Sequence, residues 1–116
     1  MKDRKSEKIS VGYVTCSSAV EARTIAKILV KSRKVACVVN IPIVRSNYIW
    51  KGKIEEAKES VLLIKTFHRN IKIVSTMVKA HHSYVVPCIL WIDVQAANAA
   101  YAKWMKSVLA HTNPKL

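Results

Sequence analysis

The side chains in this sequence that suit a soft metal ion are few: three cysteines and four histidines. Thiolate suits Cu(I) and imidazole suits Cu(II), so these residues are the first place to look for chemistry. Cys16 lies near the end of an alternating apolar run. Cys37 stands in the most apolar run of the chain, where a free cysteine ordinarily acts as a small hydrophobe. Cys88 lies between Pro87 and another apolar run and reads as packing. His81 and His82 are adjacent, so on a helix they cannot share a face, but a helix end can reorient one of them. His68 and His111 are isolated and read as surface residues. There is no C-x-x-C pair for zinc or redox work, and an odd number of widely spaced cysteines gives no disulfide framework.

A second group, Tyr48, Trp50, Glu59, Lys65, His82 and Tyr84, can converge into a ligand cleft if strands and the loop after a second helix meet at a subunit boundary. Lys65 follows Leu62-Leu63-Ile64, so its stem packs while its ammonium needs a partner, because a buried unpaired ammonium is strongly unfavourable. Glu59 is the natural partner, six residues away and on the same strand face by parity. The bland reading of that pair is an interface ion pair; the functional one is a basic cleft for a small anion. Catalysis finds little support. After Glu59 only Asp93 remains for acid-base work, two glycines cannot form a phosphate-cradling loop, and nothing marks a nucleophile elbow.

The elements that must carry these residues follow from periodicity. Ile9, Val11 and Tyr13 alternate with polar or small residues, as in a strand. Ser18-Ala-Val-Glu21 is a capping-box pattern, with Glu21 reaching back to the Ser18 amide, and Ala22, Ile25, Ala26 and Leu29 mark the buried face of the helix that follows. The helix ends near Arg33 and Lys34. Val35 to Ile43 is an apolar strand in which Pro42 requires an edge or a bulge. Asn47 to Trp50 continues it, Lys51-Gly52 turns it, and Ile54 to Thr66 runs back. Arg69 to His81 has helical spacing, Cys88 to Val94 is β-rich, and Asn98 can cap a last helix with Tyr101, Trp104, Met105 and Val108 on its buried stripe. The order β-α-β-β-α-β-α predicts an α+β, ferredoxin-like sandwich with an extended β2-β3 hairpin and an added C-terminal helix. Residues 1-8 read as a flexible basic tail and 9-116 as a single domain. The long hairpin leaves strand edges that must be covered, and self-association is one way to cover them.

The longest apolar stretch, Val85 to Ile92, is far short of the roughly 20 residues a membrane helix needs. The residues after the basic start are too polar for a secretory leader. A cytoplasmic protein with reduced thiols is the expectation. Twenty basic against seven acidic residues give +13. That field attracts anions, nucleic acid included, but the basic residues are dispersed and no reading helix stands out.

Several motifs in order resemble the CutA family of divalent-cation tolerance proteins. They are Val14-Thr15-Cys16, Ala36-Cys37-Val38 with Asn40, and Ser46, Tyr48 and Trp50-Lys51-Gly52-Lys53-Ile54-Glu55-Glu56. Leu63-Ile64-Lys65-Thr66, then His82, Tyr84 and Pro87, and finally Asn98, Tyr101 and Trp104 complete the series. The resemblance implies a homotrimer of ferredoxin-like subunits, association with copper or other divalent ions, and no settled enzymatic reaction. It makes Cys16, Cys37 and His82 the expected metal donors, with Tyr48, Trp50, Glu59, Lys65 and Tyr84 around a ligand. The family usually reads His-Pro-Tyr-Glu where this chain has His82-Ser83-Tyr84-Val85. If the missing carboxylate holds a cation, its loss weakens that binding. The expected function is therefore a non-enzymatic, trimeric, copper-binding protein of metal response. The alternatives are a trimeric sensor of small anions or other small molecules at an intersubunit cleft and, more weakly, a nucleic-acid-binding protein.

Overall fold

The computed structural model describes residues 7-109. Most of the N-terminal tail, and His111, lie outside them. Strand β1 (Ile9–Cys16), helix α1 (Ala19–Lys31), strands β2 (Cys37–Trp50) and β3 (Lys53–Phe67), helix α2 (Ile71–Ala80), strand β4 (Ile89–Asp93) and helix α3 (Ala99–Leu109) follow one another as expected, with a 3-10 turn (His68–Asn70) leading into α2. The four strands form one antiparallel sheet ordered β2-β3-β1-β4, the ferredoxin-like arrangement.

Register assigns each face of the sheet. Val38, Ile64, Gly12 and Trp91 form one row across it, and Asn40, Leu62, Val14 and Ile89 the next. Helices α1 and α2 cover this face, packing Ala22, Ile25, Leu29, Val74 and Val78 into a core with Val14, Cys16, Leu62 and Ile64. Gly12 leaves room for the Trp91 ring: a Cβ there would lie 2.9 Å from two ring carbons. The indole is held from the other side by its Nε1–H, which donates to Ser75 Oγ at 2.9 Å. The opposite face carries the row Val39, Leu63, Tyr13 and Leu90. Val39, Ile41, Leu90 and Ile92 remain 36%, 38%, 57% and 54% exposed on that face. Helix α3 covers one end of this second face, packing on Phe67 through Met105 and Leu109, and leaves the rest of it uncovered. Trp104, expected on the buried stripe, is instead 44% exposed, because Met105 and Leu109, four apart, define the inward face.

The hairpin is the second feature that positions the site. Lys51 and Gly52 both have positive φ, 52° and 80°, as a two-residue type I′ turn demands. Midway along the arm, Ile41 pairs with Val61 but Val44 with Glu59, so Pro42 and Ile43 together face Ser60 in a β-bulge. Pro42 lies on an edge strand, and Ser60 Oγ donates to its carbonyl. The extra residue reverses the alternation: Ser46, Tyr48 and Trp50 now face the same side as Glu59. The arm lengthens the molecule to 53 Å, and its radius of gyration of 15.7 Å exceeds the roughly 13 Å of a compact chain this size.

Candidate functional site

Two clusters emerge, one on each face of the sheet where β1 ends. The first lies at the β1–α1 corner. Ser18 caps α1 by accepting the Glu21 amide at 3.1 Å, as the capping-box pattern predicts. The Glu21 carboxylate does not return to the Ser18 amide, however. It accepts the Ser17 amide at 2.9 Å and the Ser17 hydroxyl at 3.0 Å, and its other oxygen accepts the Ser83 amide at 2.7 Å. Burial acts to raise the Glu21 carboxyl, but the hydrogen bonds from Ser17 and Ser83 outweigh it and hold the group below its ordinary range. His82 follows the end of α2. Its Nε2 lies 2.7 Å from the Thr15 carbonyl, which can only accept, and its Nδ1 accepts the Tyr84 amide at 3.1 Å. Those partners assign the proton to Nε2. Cys16 completes the corner from the helix-covered face. Burial, followed by the charges of Glu21 and Glu59, pushes its thiol up to about 12.

Ligand atoms of Cys16, Glu21 and His82 lie within 4.8 Å of one another, the one such group among the described residues. Cys37, expected to join Cys16, does not. It pairs with Lys65 on the uncovered face, whereas Cys16 pairs with Ser60 on the covered one. The two partners are five residues apart on β3, about 17 Å, with the sheet between the side chains. Glu21 is a donor that the cysteine and histidine content alone does not reveal. Its signal in the sequence is the capping box, a local helix-start pattern that says nothing of a distant histidine. By type and spacing, one thiol, one imidazole and one carboxylate fit a thiophilic ion such as copper. All three are also engaged as they stand: the thiol is protonated, both ring nitrogens are bonded, and the carboxylate holds three donors.

The second cluster is a cleft of about 520 Å³ on the uncovered face, between the hairpin arm and the loop after α2. Tyr48, Trp50, Glu59 and Tyr84 line it together with Tyr13 and Val85, while His82, grouped with them in the sequence, stays at the β1–α1 corner. Glu59 is only 8% exposed and accepts hydrogen bonds of 2.6 Å from both Ser46 Oγ and Tyr84 Oη. Burial first, and then the hydrogen bond to Glu59, raises the Tyr84 phenol well above its ordinary value. Lys65 is not part of the cleft, and the expected Glu59–Lys65 pair does not form. Parity puts them on one face, but six residues along a strand separate them by about 20 Å. Lys65 Nζ instead donates to Tyr101 Oη at 3.2 Å, which raises its pKa, and lies 5.2 Å from the Tyr101 ring centre.

Fold and site geometry together define a ferredoxin-like domain with a projecting arm and two side-chain clusters at one end of the sheet. The model for the CutA1 divalent ion tolerance protein family matches residues 10–108. A divalent-cation tolerance protein CutA of Thermus thermophilus is 39% identical over 96 residues, covering 83% of this chain and 93% of that protein. Human protein CutA is 36% identical over 100 residues, 86% of this chain; the chain spans 56% of the human protein's length. The structure of the periplasmic divalent cation tolerance protein CutA of Archaeoglobus fulgidus superposes with a TM-score of 0.84 at 34% identity, covering 87% of this chain and 98% of that one. The chain belongs to the CutA1 divalent ion tolerance family.

Proposed function

We propose that the protein is a non-enzymatic homotrimer that meets copper in the cellular response to metals, with Cys16 and His82 as the donors and Glu21 beside them. One observation carries the metal reading: a thiol, an imidazole and a carboxylate from three separate segments within 4.8 Å. Capture requires the loop at His82 and Ser83 to give up hydrogen bonds to Thr15 and Glu21, so the ion is cargo that loosens the corner, not a resident structural ion. Supporting the assembly is the uncovered apolar row on the sheet, which a globular monomer rarely exposes. The three free thiols agree with a cytoplasmic, reducing setting. The anion reading finds less support, since Lys65 lies outside the cleft beside Tyr101.

The test is calorimetric titration with Cu(I) and Cu(II) of the wild type, Cys37→Ala and Cys16→Ala/His82→Ala. Binding that survives Cys37→Ala and disappears in the double variant is the expected result. Undiminished affinity in the double variant rejects the site.

A further inference from the structure

Basic residues that are dispersed along the chain come together in the fold. Arg23, Lys27 and Lys31 lie four residues apart on the exposed stripe of α1, and Lys72 and Lys79 two turns apart on that of α2. Both helices cover the same face of the sheet, so the two stripes form one surface. Asn70 Nδ2 donates to the Lys34 carbonyl at 3.2 Å, which sets the start of α2 beside the end of α1. No carboxylate is free to balance this surface: Glu21, the one acid of the two helices, is held by Ser17 and Ser83. Among the described residues none of the five cations pairs with an acid. The hairpin arm differs, since Lys53 and Lys58 there are interspersed with Glu55 and Glu56. Lys72 even stands in the first turn of α2, where the helix dipole disfavours a cation and no acid offsets it. Val30 and Ile73 are exposed among these charges. The phosphates of a nucleic acid would leave such side chains in water, and the two helices carry no aromatic ring to stack on a base and no amide side chain to read one. An anionic bilayer suits both kinds: its headgroup charge attracts lysines, and the boundary between headgroups and acyl chains takes aliphatic tips. No helix among the described residues is long and apolar enough to cross a membrane, so the contact is with its surface.

We propose that the outer face of α1 and α2 docks on an anionic lipid membrane, with Arg23, Lys27, Lys31, Lys72 and Lys79 against headgroup charge and Val30 and Ile73 seated between them. The face lies across the sheet from the row assigned to sister chains, so covering that row does not hide it. The test is co-sedimentation of the full chain with two kinds of vesicle: phosphatidylcholine alone, and phosphatidylcholine with phosphatidylserine in equal parts. Binding to the second and not to the first is expected, falling as salt is raised. Each lysine near an anionic surface strengthens binding by about fivefold, so Lys27→Ala/Lys31→Ala should weaken it by roughly 25-fold. Lys53→Ala/Lys58→Ala in the arm removes the same charge and should change binding by less than about twofold. Val30→Ser/Ile73→Ser should weaken binding to the vesicles and leave any affinity for duplex DNA as it is. Equal sedimentation with both vesicles, none with either, undiminished binding in the Lys27→Ala/Lys31→Ala variant, or an equal loss in the arm variant each overturn the proposal. A face that prefers duplex DNA to the charged vesicles and ignores Val30→Ser/Ile73→Ser is a nucleic-acid surface instead.

Discussion

At the scale of single residues, Glu21 joins two segments that are remote in sequence: it fastens the start of α1 and, through the Ser83 amide, the loop bearing His82 and Tyr84. Glu21→Ala is expected to lower stability by about 1–3 kcal/mol near neutral pH, as hydrogen bonds to a charged group are removed. Because the folded carboxyl lies below its ordinary 4.5, this contribution is complete above that value. It fades as pH falls through the depressed folded value. Urea unfolding of both proteins near pH 7 and in acid should show the gap closing. Cys16 offers a second reading at this scale. With its thiol pushed up to about 12 and no exposure, it should resist iodoacetamide at pH 8 until the protein unfolds. Cys37 and Cys88, both partly exposed, should react first. Mass spectrometry of the alkylated peptides reads the order, and early modification of Cys16 counts against the geometry of the corner.

At the scale of elements, the two glycines of the chain serve different ends. Gly52 needs its positive φ, and nothing lies within 4 Å of a Cβ there. Gly52→Ala should therefore cost the backbone term alone, about 1–2 kcal/mol. Gly12 has no such φ; its constraint is the Trp91 ring locked by Ser75. Gly12→Ala should cost about 1–3 kcal/mol through overpacking. Shortening Trp91 to leucine should relieve the Gly12 variant and leave the Gly52 variant unaffected, a comparison that urea midpoints of the double variants provide. The bulge at Pro42 matters at the same scale, since it turns Tyr48 and Trp50 toward Glu59. The sequence announced an interruption there, because proline cannot donate to the ladder. Which face the aromatic residues reach depends on how many residues the bulge absorbs, and pairing across strands decides that.

At the scale of the molecule, the row in which Val39 and Leu90 are exposed and Tyr13 half-buried between them must find cover, and in our reading sister chains supply it. Sedimentation should give three times the 13.1 kDa chain. Placing a carboxylate in that row with Leu90→Glu should dissociate the assembly, and the melting temperature of the wild type, but not of the variant, should then rise with protein concentration. A wild type that sediments as a monomer removes the trimer from the proposal.

The sequence by itself determined the order of elements, the turn at Lys51-Gly52, the N-terminus of α1 and the family motifs, because each rests on short-range periodicity or local backbone chemistry. Of the six residues it grouped into a cleft, the fold gathers Tyr48, Trp50, Glu59 and Tyr84 and leaves Lys65 and His82 elsewhere. Only the tertiary structure decided that Cys16 meets Glu21 and His82 while Cys37 turns to the other face, and that Lys65 finds Tyr101 and not Glu59. Parity along a strand specifies a face but not a distance. The partner across the sheet is set by register, by the bulge and by where α2 releases its chain, all of them consequences of long-range packing.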